Sequence, residues 1–142
     1  MSKIIALSST FGHDSGCALI VDGEIKFVIE EEKLVGIKSC YRQNTFPHES
    51  LAAIEKATGV TLFNCDHIVA ARSHSFEDLP EIYKKPEIAA KIQTFSHHAC
   101  HALGSYYTSG MTGKAISLSL DGAGLRSRSK IYLCDNGLTD LV

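Results

Sequence analysis

A chain of 142 residues, 44% of them hydrophobic and 21% charged, has the length and balance of one globular domain with its own core. A formal net charge of -2 excludes an electrostatic case for binding nucleic acid or an anionic membrane. Five cysteines, an odd number never spaced C-x-x-C, exclude a paired disulfide framework and a cysteine zinc site, and point to reduced thiols in a cytoplasmic protein.

Taken in order, Lys3 to Ser8 reads as a buried strand with no signal-peptide core before it, and no later apolar run reaches the length of a membrane span. A polar, glycine-bearing turn from Ser9 to Gly16 follows. Cys17 to Val21 is a second strand, and Asp22-Gly23 is a two-residue hairpin signal. Glu24 to Glu30 returns as a third strand, with Ile25, Phe27 and Ile29 expected on one face. Glu31 to Asn44 lacks clean periodicity and reads as an irregular loop, basic toward its end with Lys38 and Arg42. Pro47 opens a helix with Leu51, Ile54 and Thr58 on one face, and Gly59 stops it. Asp66 to Ala71 is a short strand, and Arg72 to Pro86 reads as a surface excursion. Periodicity leaves Glu87 to Ile92 open between a short helix and a strand lead-in.

The second half centres on Ser96-His97-His98-Ala99-Cys100-His101-Ala102, where three of the seven histidines fall within five residues. Ser96 is a candidate N-cap for a helix over about residues 97 to 109, with Gly110 as its stop. At about 3.6 residues per turn, His97 and His101 share a face, and so do His98 and His101. Either pair could point two imidazoles at one divalent cation. A carboxylate from Asp121 would add a third ligand, the donor set that suits iron or zinc with positions left open for substrate oxygens. Lys114 to Leu120 reads as a buried strand ending at Asp121-Gly122-Ala123-Gly124. Ser129 to Cys134 is its hairpin partner, Asp135-Asn136-Gly137 the next turn, and Leu138 onward the start of another strand.

Two tight polar turns therefore stand at strand ends, Gly12-His13-Asp14-Ser15-Gly16 and Asp121-Gly122-Ala123-Gly124. Their small residues let backbone N–H groups approach phosphate oxygens closely. The pair resembles the phosphate-clasping hairpins of the actin-like ATPase (ribonuclease H-like) fold, an α/β lobe with a mixed sheet that begins as a three-stranded antiparallel meander and carries helices packed on it.

The resemblance extends along the chain. Phe11 to Ile25, Glu30-Glu31-Glu32-Lys33, Phe46-Pro47, His97-His98-Ala99-Cys100-His101-Ala102 and Asp121-Gly122-Ala123-Gly124 together resemble the N-terminal region of the nodulation and antibiotic-modifying O-carbamoyltransferases. That resemblance implies transfer of a carbamoyl group from carbamoyl phosphate to a small-molecule hydroxyl acceptor. It implies ATP as co-substrate, a carbamoyl-adenylate between the two, and a divalent metal, Fe(II), in the site. Residue by residue, it implies metal ligation by two among His97, His98 and His101, without choosing the pair, and by Asp121. It implies a catalytic role for His13 near the carbamoyl and phosphate groups, with Asp14, Lys38, Gly122 and Gly124 toward the nucleotide. The chain departs from the family's pattern at Lys33, where an arginine is usual, and at Ser39-Cys40, where His-Asp follows the lysine.

On this reading residues 1–142 are a single domain, the N-terminal lobe of a larger carbamoyltransferase. The second lobe is missing, the isolated piece inactive, and its uncovered apolar face open to self-association. The competing reading is a non-catalytic nucleotide-sensing or scaffolding module of the same fold.

Overall fold

The computed structural model describes residues 1–10, 13–38, 46–72, 81–121, 129–135 and 137–141. Two compact units divide the chain, Met1–Thr94 and Phe95–Val142.

In the first unit, β1 (Lys3–Thr10), β2 (His13–Val21) and β3 (Glu24–Glu30) form the antiparallel meander that the sequence predicts. Asp22 and Gly23 turn the second hairpin with φ of 50° and 83°, left-handed values that match the twist of the flanking strands. The strands also reach further toward the first turn than expected. Thr10 pairs with His13, so His13 and Asp14 open β2 instead of lying in a loop. β1 pairs in parallel with β4 (His67–Arg72), and β5 (Ile92–Ser96) completes a sheet of order β3-β2-β1-β4-β5. Ile5, Leu19, Ile54, Ile68 and Ile88 form the innermost part of the core.

Two positions in the meander carry particular constraints. A Cβ on Gly16 would stand 2.6 Å from the Ile29 carbonyl oxygen, so only glycine lets β2 and β3 close at that point. Ile25 does not share the face of Phe27 and Ile29 and is 61% exposed. The ladder pairs Leu19 with Phe27 but Ile20 with Ile25, leaving Lys26 as an extra residue that reverses the alternation.

The predicted loop after β3 is in part a helix, α1 (Glu31–Val35), closed by Gly36 in left-handed backbone at φ 70°. Its first residue explains why it forms. The Glu31 carboxylate is buried and accepts hydrogen bonds from the backbone N–H of Glu49 (2.9 Å), the N–H of Ser50 (2.8 Å) and the Ser50 hydroxyl (2.7 Å). Those donors lie in the first turn of α2 (His48–Thr58), whose N-cap residue, Pro47, makes no side-chain cap hydrogen bond. Glu31 thus supplies the cap from a distance and adds a negative charge at the positive end of the helix dipole. Beyond β4, a 3₁₀ turn (Glu81–Lys84) and a single helical turn, α3 (Pro86–Ala89), precede β5, so both readings of residues 87–92 hold in succession.

The second unit opens with α4 (His97–Thr108), followed by an antiparallel sheet of order β6-β7-β8: β6 (Ala115–Leu120), β7 (Ser129–Cys134) and β8 (Leu138–Asp140). Ser96 caps α4 as predicted, its hydroxyl accepting from the Ala99 N–H at 3.1 Å. Ala99 and Ala102 pack on Tyr132 of β7. β6 is not the buried strand that its alternation suggests. Ile116, Leu118 and Leu120 are 63%, 57% and 72% exposed, and the buried side of the strand carries Ser119 instead. Among the described residues, no helix is long and apolar enough to cross a membrane.

Replacing Glu31 by Ala leaves the Glu49 and Ser50 N–H groups in the first turn of α2 without their acceptor and takes from the buried Ser50 hydroxyl its 2.7 Å partner. A loss of about 2 kcal/mol is expected, within the usual penalty for a buried unpaired polar group. Urea denaturation of the Glu31→Ala chain measures it, and an unchanged midpoint would show that the cap carries no stability.

Candidate metal centre on the histidine helix

The site lies wholly within the second unit. α4 starts at His97 because Ser96 caps it there, which puts His97 and His101 one turn apart on the same rim of the helix. β6 runs beneath that rim and delivers Asp121 immediately after its last residue. The His97 Nε2 and Asp121 Oδ2 are hydrogen-bonded. The His101 Nε2 lies 3.0 Å from the His97 Nε2 and 3.5 Å from the same carboxylate oxygen. One ligand atom from each of His97, His101 and Asp121 thus falls within 4.8 Å of the others.

The chemistry of this donor set fits a divalent cation. Two imidazole nitrogens and a carboxylate oxygen converge, and they do so at a partly open position, with side-chain exposures of 19%, 56% and 29%. Two ring nitrogens facing each other at 3.0 Å cannot both present lone pairs without repulsion. Either a proton sits between them or a cation draws both. Donor atoms on one side only would leave a cation there with open positions.

The third histidine goes elsewhere. His98 is buried, with 5% of its surface exposed, and its Nδ1 shares a 2.8 Å hydrogen bond with the Ser119 hydroxyl. Of the two pairs left open by helical spacing, the structure brings together His97 and His101. Gly122 and Gly124 lie outside the described residues, as do the side chains of His13 and Asp14. Lys38 is exposed in the first unit, two residues beyond Gly36.

Ser119 was not singled out from sequence. Its signal is the period-two run Ser117, Ser119, Asp121, which places all three side chains on the same side of β6 and its continuation. The structure fills that row with partners from α4, Ser105 at 3.3 Å from Ser117, His98 on Ser119 and His97 on Asp121.

No family model matches the chain. A curated protein does, the nodulation protein NolNO of Sinorhizobium fredii (strain NBRC 101917 / NGR234), 25% identical over 154 aligned positions that cover 87% of this chain. The chain is similar to part of NolNO. It spans 22% of NolNO's length. Among solved structures, a Pseudomonas aeruginosa protein with similarity to the peptidase YeaZ matches 100% of this chain at a TM-score of 0.65 and 15% identity. YeaZ from Pseudomonas aeruginosa does so at 0.62, again with 15% identity. The chain covers 64% and 65% of those two structures. Its fold is the actin-like one, a mixed α/β arrangement that begins with an antiparallel meander. The NolNO relationship falls on the side of the resemblance drawn from the motifs.

Cys100 sits between the two clustered histidines in sequence and is not part of the three-residue cluster. Burial raises its pKa above the ordinary thiol value. At pH 8, native Cys100 is expected to react with iodoacetamide more slowly than in the urea-unfolded chain. Peptide mass spectrometry reads the two rates, and equal rates would contradict a thiol held protonated by its surroundings.

Proposed function

We propose that this chain contributes the metal-holding part of an O-carbamoyltransferase that uses carbamoyl phosphate and ATP, through a carbamoyl-adenylate, to carbamoylate a small-molecule hydroxyl. The observation that carries the reading is the convergence of His97, His101 and Asp121 on one point. The motif resemblance and the NolNO relationship support the same class.

In this reading His97, His101 and Asp121 hold a divalent cation, Fe(II). When bound, the cation supplies Lewis-acid polarisation of phosphate and carbamoyl oxygens. The protein's own contribution is position. Ser96 and the first turn of α4 fix the two imidazoles, and β6 fixes the carboxylate. The one-sided ligand set keeps the opposite side clear for the nucleotide and carbamoyl oxygens. Gly122 and Gly124 follow Asp121 directly, and their backbone N–H groups are suited to hold phosphate beside the metal ligands. His13 and Asp14, at the start of β2, are assigned to the carbamoyl and phosphate end, His13 stabilising charge or moving a proton there. Lys38 is assigned to phosphate. Residues 1–142 act as the N-terminal lobe of the larger enzyme, whose second lobe encloses the substrates in the cytoplasm.

Both imidazoles must be unprotonated at Nε2 to bind the cation, so protons compete with it. Occupancy is therefore expected to be highest at neutral to mildly alkaline pH and to fall as the solution is acidified. Anaerobic Fe(II) titration, followed by metal analysis after desalting, should show binding by the unmodified chain. His97→Ala and His101→Ala are each expected to abolish it, and Asp121→Asn to weaken it at least about tenfold. Equal Fe(II) retention by the His101→Ala chain would sink the metal assignment.

The activity itself is tested in the longer enzyme, by following carbamoyl phosphate-dependent release of pyrophosphate from ATP. His13→Ala is expected to lower turnover by about a hundredfold or more, the usual contribution of a positioned acid or base, while leaving Fe(II) content unchanged. Turnover that survives intact in His13→Ala would remove that residue from the chemistry.

A further inference from the structure

Beyond its three convergent ligand atoms, the second unit contains a buried polar pair that the proposed chemistry does not use. His98 follows His97 directly and precedes His101 by three residues. Ser119 precedes Asp121 by two. The 2.8 Å hydrogen bond between His98 Nδ1 and Ser119 Oγ therefore joins the helix bearing both imidazoles to the strand bearing the carboxylate. Both partners are buried, at 5% exposure each.

We propose that His98 and Ser119 are positioning residues, a buried hydrogen bond that sets the rotation and height of α4 on β6 so that the His97, His101 and Asp121 ligand atoms meet. This rests on the metal reading of the cluster. The need for such a device follows from the rest of the contact between α4 and the sheet. Ala99 and Ala102 against Tyr132 are small, smooth apolar contacts. Apolar contact is non-directional, so it holds the helix down without fixing its turn about its own axis. A functional constellation tolerates displacements of only about 0.5 Å or about 10–20°, so a larger twist of α4 would carry the two rim imidazoles out of range. Apart from the contacts of His97 and His101 with Asp121, which belong to the site being positioned, the other described polar contact on this face is Ser105 Oγ to Ser117 Oγ, longer at 3.3 Å, further down the helix and between less buried residues. The His98–Ser119 pair is short, buried and next to the ligands. A ring nitrogen and a hydroxyl in that setting are held to a narrow range of distance and angle.

The test is a Co(II) titration of the full chain, followed through the visible absorption of the bound ion, which reports ligand geometry as well as affinity. Ser119→Ala should weaken Co(II) binding about 10–100-fold, the effect typical of contacts that orient metal ligands from behind, and should alter the spectrum. Ser119→Thr keeps the hydroxyl and should retain both. Ser117→Ala removes a polar contact from the same strand and the same helix face, and it should bind like the unmodified chain. A Ser119→Ala chain with unchanged affinity and spectrum would overturn the proposal. So would a Ser117→Ala chain that loses as much as Ser119→Ala, since that would indicate general loosening.

If Ser119→Ala fails to fold by far-UV circular dichroism, His98 carries the comparison. His98→Asn places an amide near the Nδ1 position and should bind Co(II) nearly normally, whereas a folded His98→Leu should not. Normal binding by His98→Leu would overturn the pairing role. Failure of the underlying metal reading looks different: His101→Ala would then take up Co(II) as well as the unmodified chain.

Discussion

The close approach of α4 to β6 is the contact on which the candidate site depends. It is possible because the helix face and the β6 row beneath it are built from small residues, while Tyr132 of β7 supplies a large apolar one. Ala99 and Ala102 face Tyr132, while Ser105, Ser117 and Ser119 fill the polar row beside them. Larger side chains at these positions would lift the helix and separate the imidazoles from the carboxylate. Small polar residues bring the backbones together and still satisfy one another, so no buried side-chain polar atom among the described residues lacks a partner. The same choice leaves Ile116, Leu118 and Leu120 on the opposite, exposed side of the strand.

The first unit solves a different problem, that of holding a sheet and a helix whose start has no cap of its own. Glu31 reaches across to the first turn of α2, linking the end of the meander to the helix that covers it. Its charge is felt beyond the helix. Together with burial, which dominates, it pushes the Cys17 thiol up to about 12, although a hydrogen bond from Ser50 acts in the opposite sense. A thiol so placed stays protonated and serves as core. Lys91 makes a comparable clip at the other side of the unit, its ammonium donating to the carbonyls of Phe63 (2.6 Å) and Cys65 (2.8 Å). These contacts stiffen the frame around β1 and β2, the strands that flank the first glycine-bearing turn.

Both units contain a three-stranded antiparallel meander with a polar, glycine-bearing stretch of sequence at its first strand connection: Gly12 to Gly16 runs into the start of β2, and Asp121 to Gly124 follows β6. That recurrence is legible in sequence because hairpin turns have strong local signatures. The strands of the two meanders were legible for the same reason, as were the stops of α2 and α4 at Gly59 and Gly110, both in left-handed backbone. The misreadings share a different cause. α1 was missed because it is a single short run whose stability comes from Glu31 bonding to residues 49 and 50, far along the chain. Ile25 was placed on the wrong face because one extra residue at Lys26 resets the alternation, and that depends on the partner strand.

The sequence by itself determined the helix start at Ser96, the clustering of three histidines on one helix and the carboxylate at the end of a strand. Each of these follows from local spacing and capping. It could not choose between the His97–His101 and His98–His101 pairs, since both satisfy helical periodicity equally. Only tertiary structure decided that. Helix rotation is fixed by what lies beneath it, and the surface under α4 offers a serine to His98 and a carboxylate to His97. The alternation in β6 likewise left open which side would be buried. The serine side faces the helix, where Ser119 gives the buried His98 the hydrogen-bond partner that burial requires.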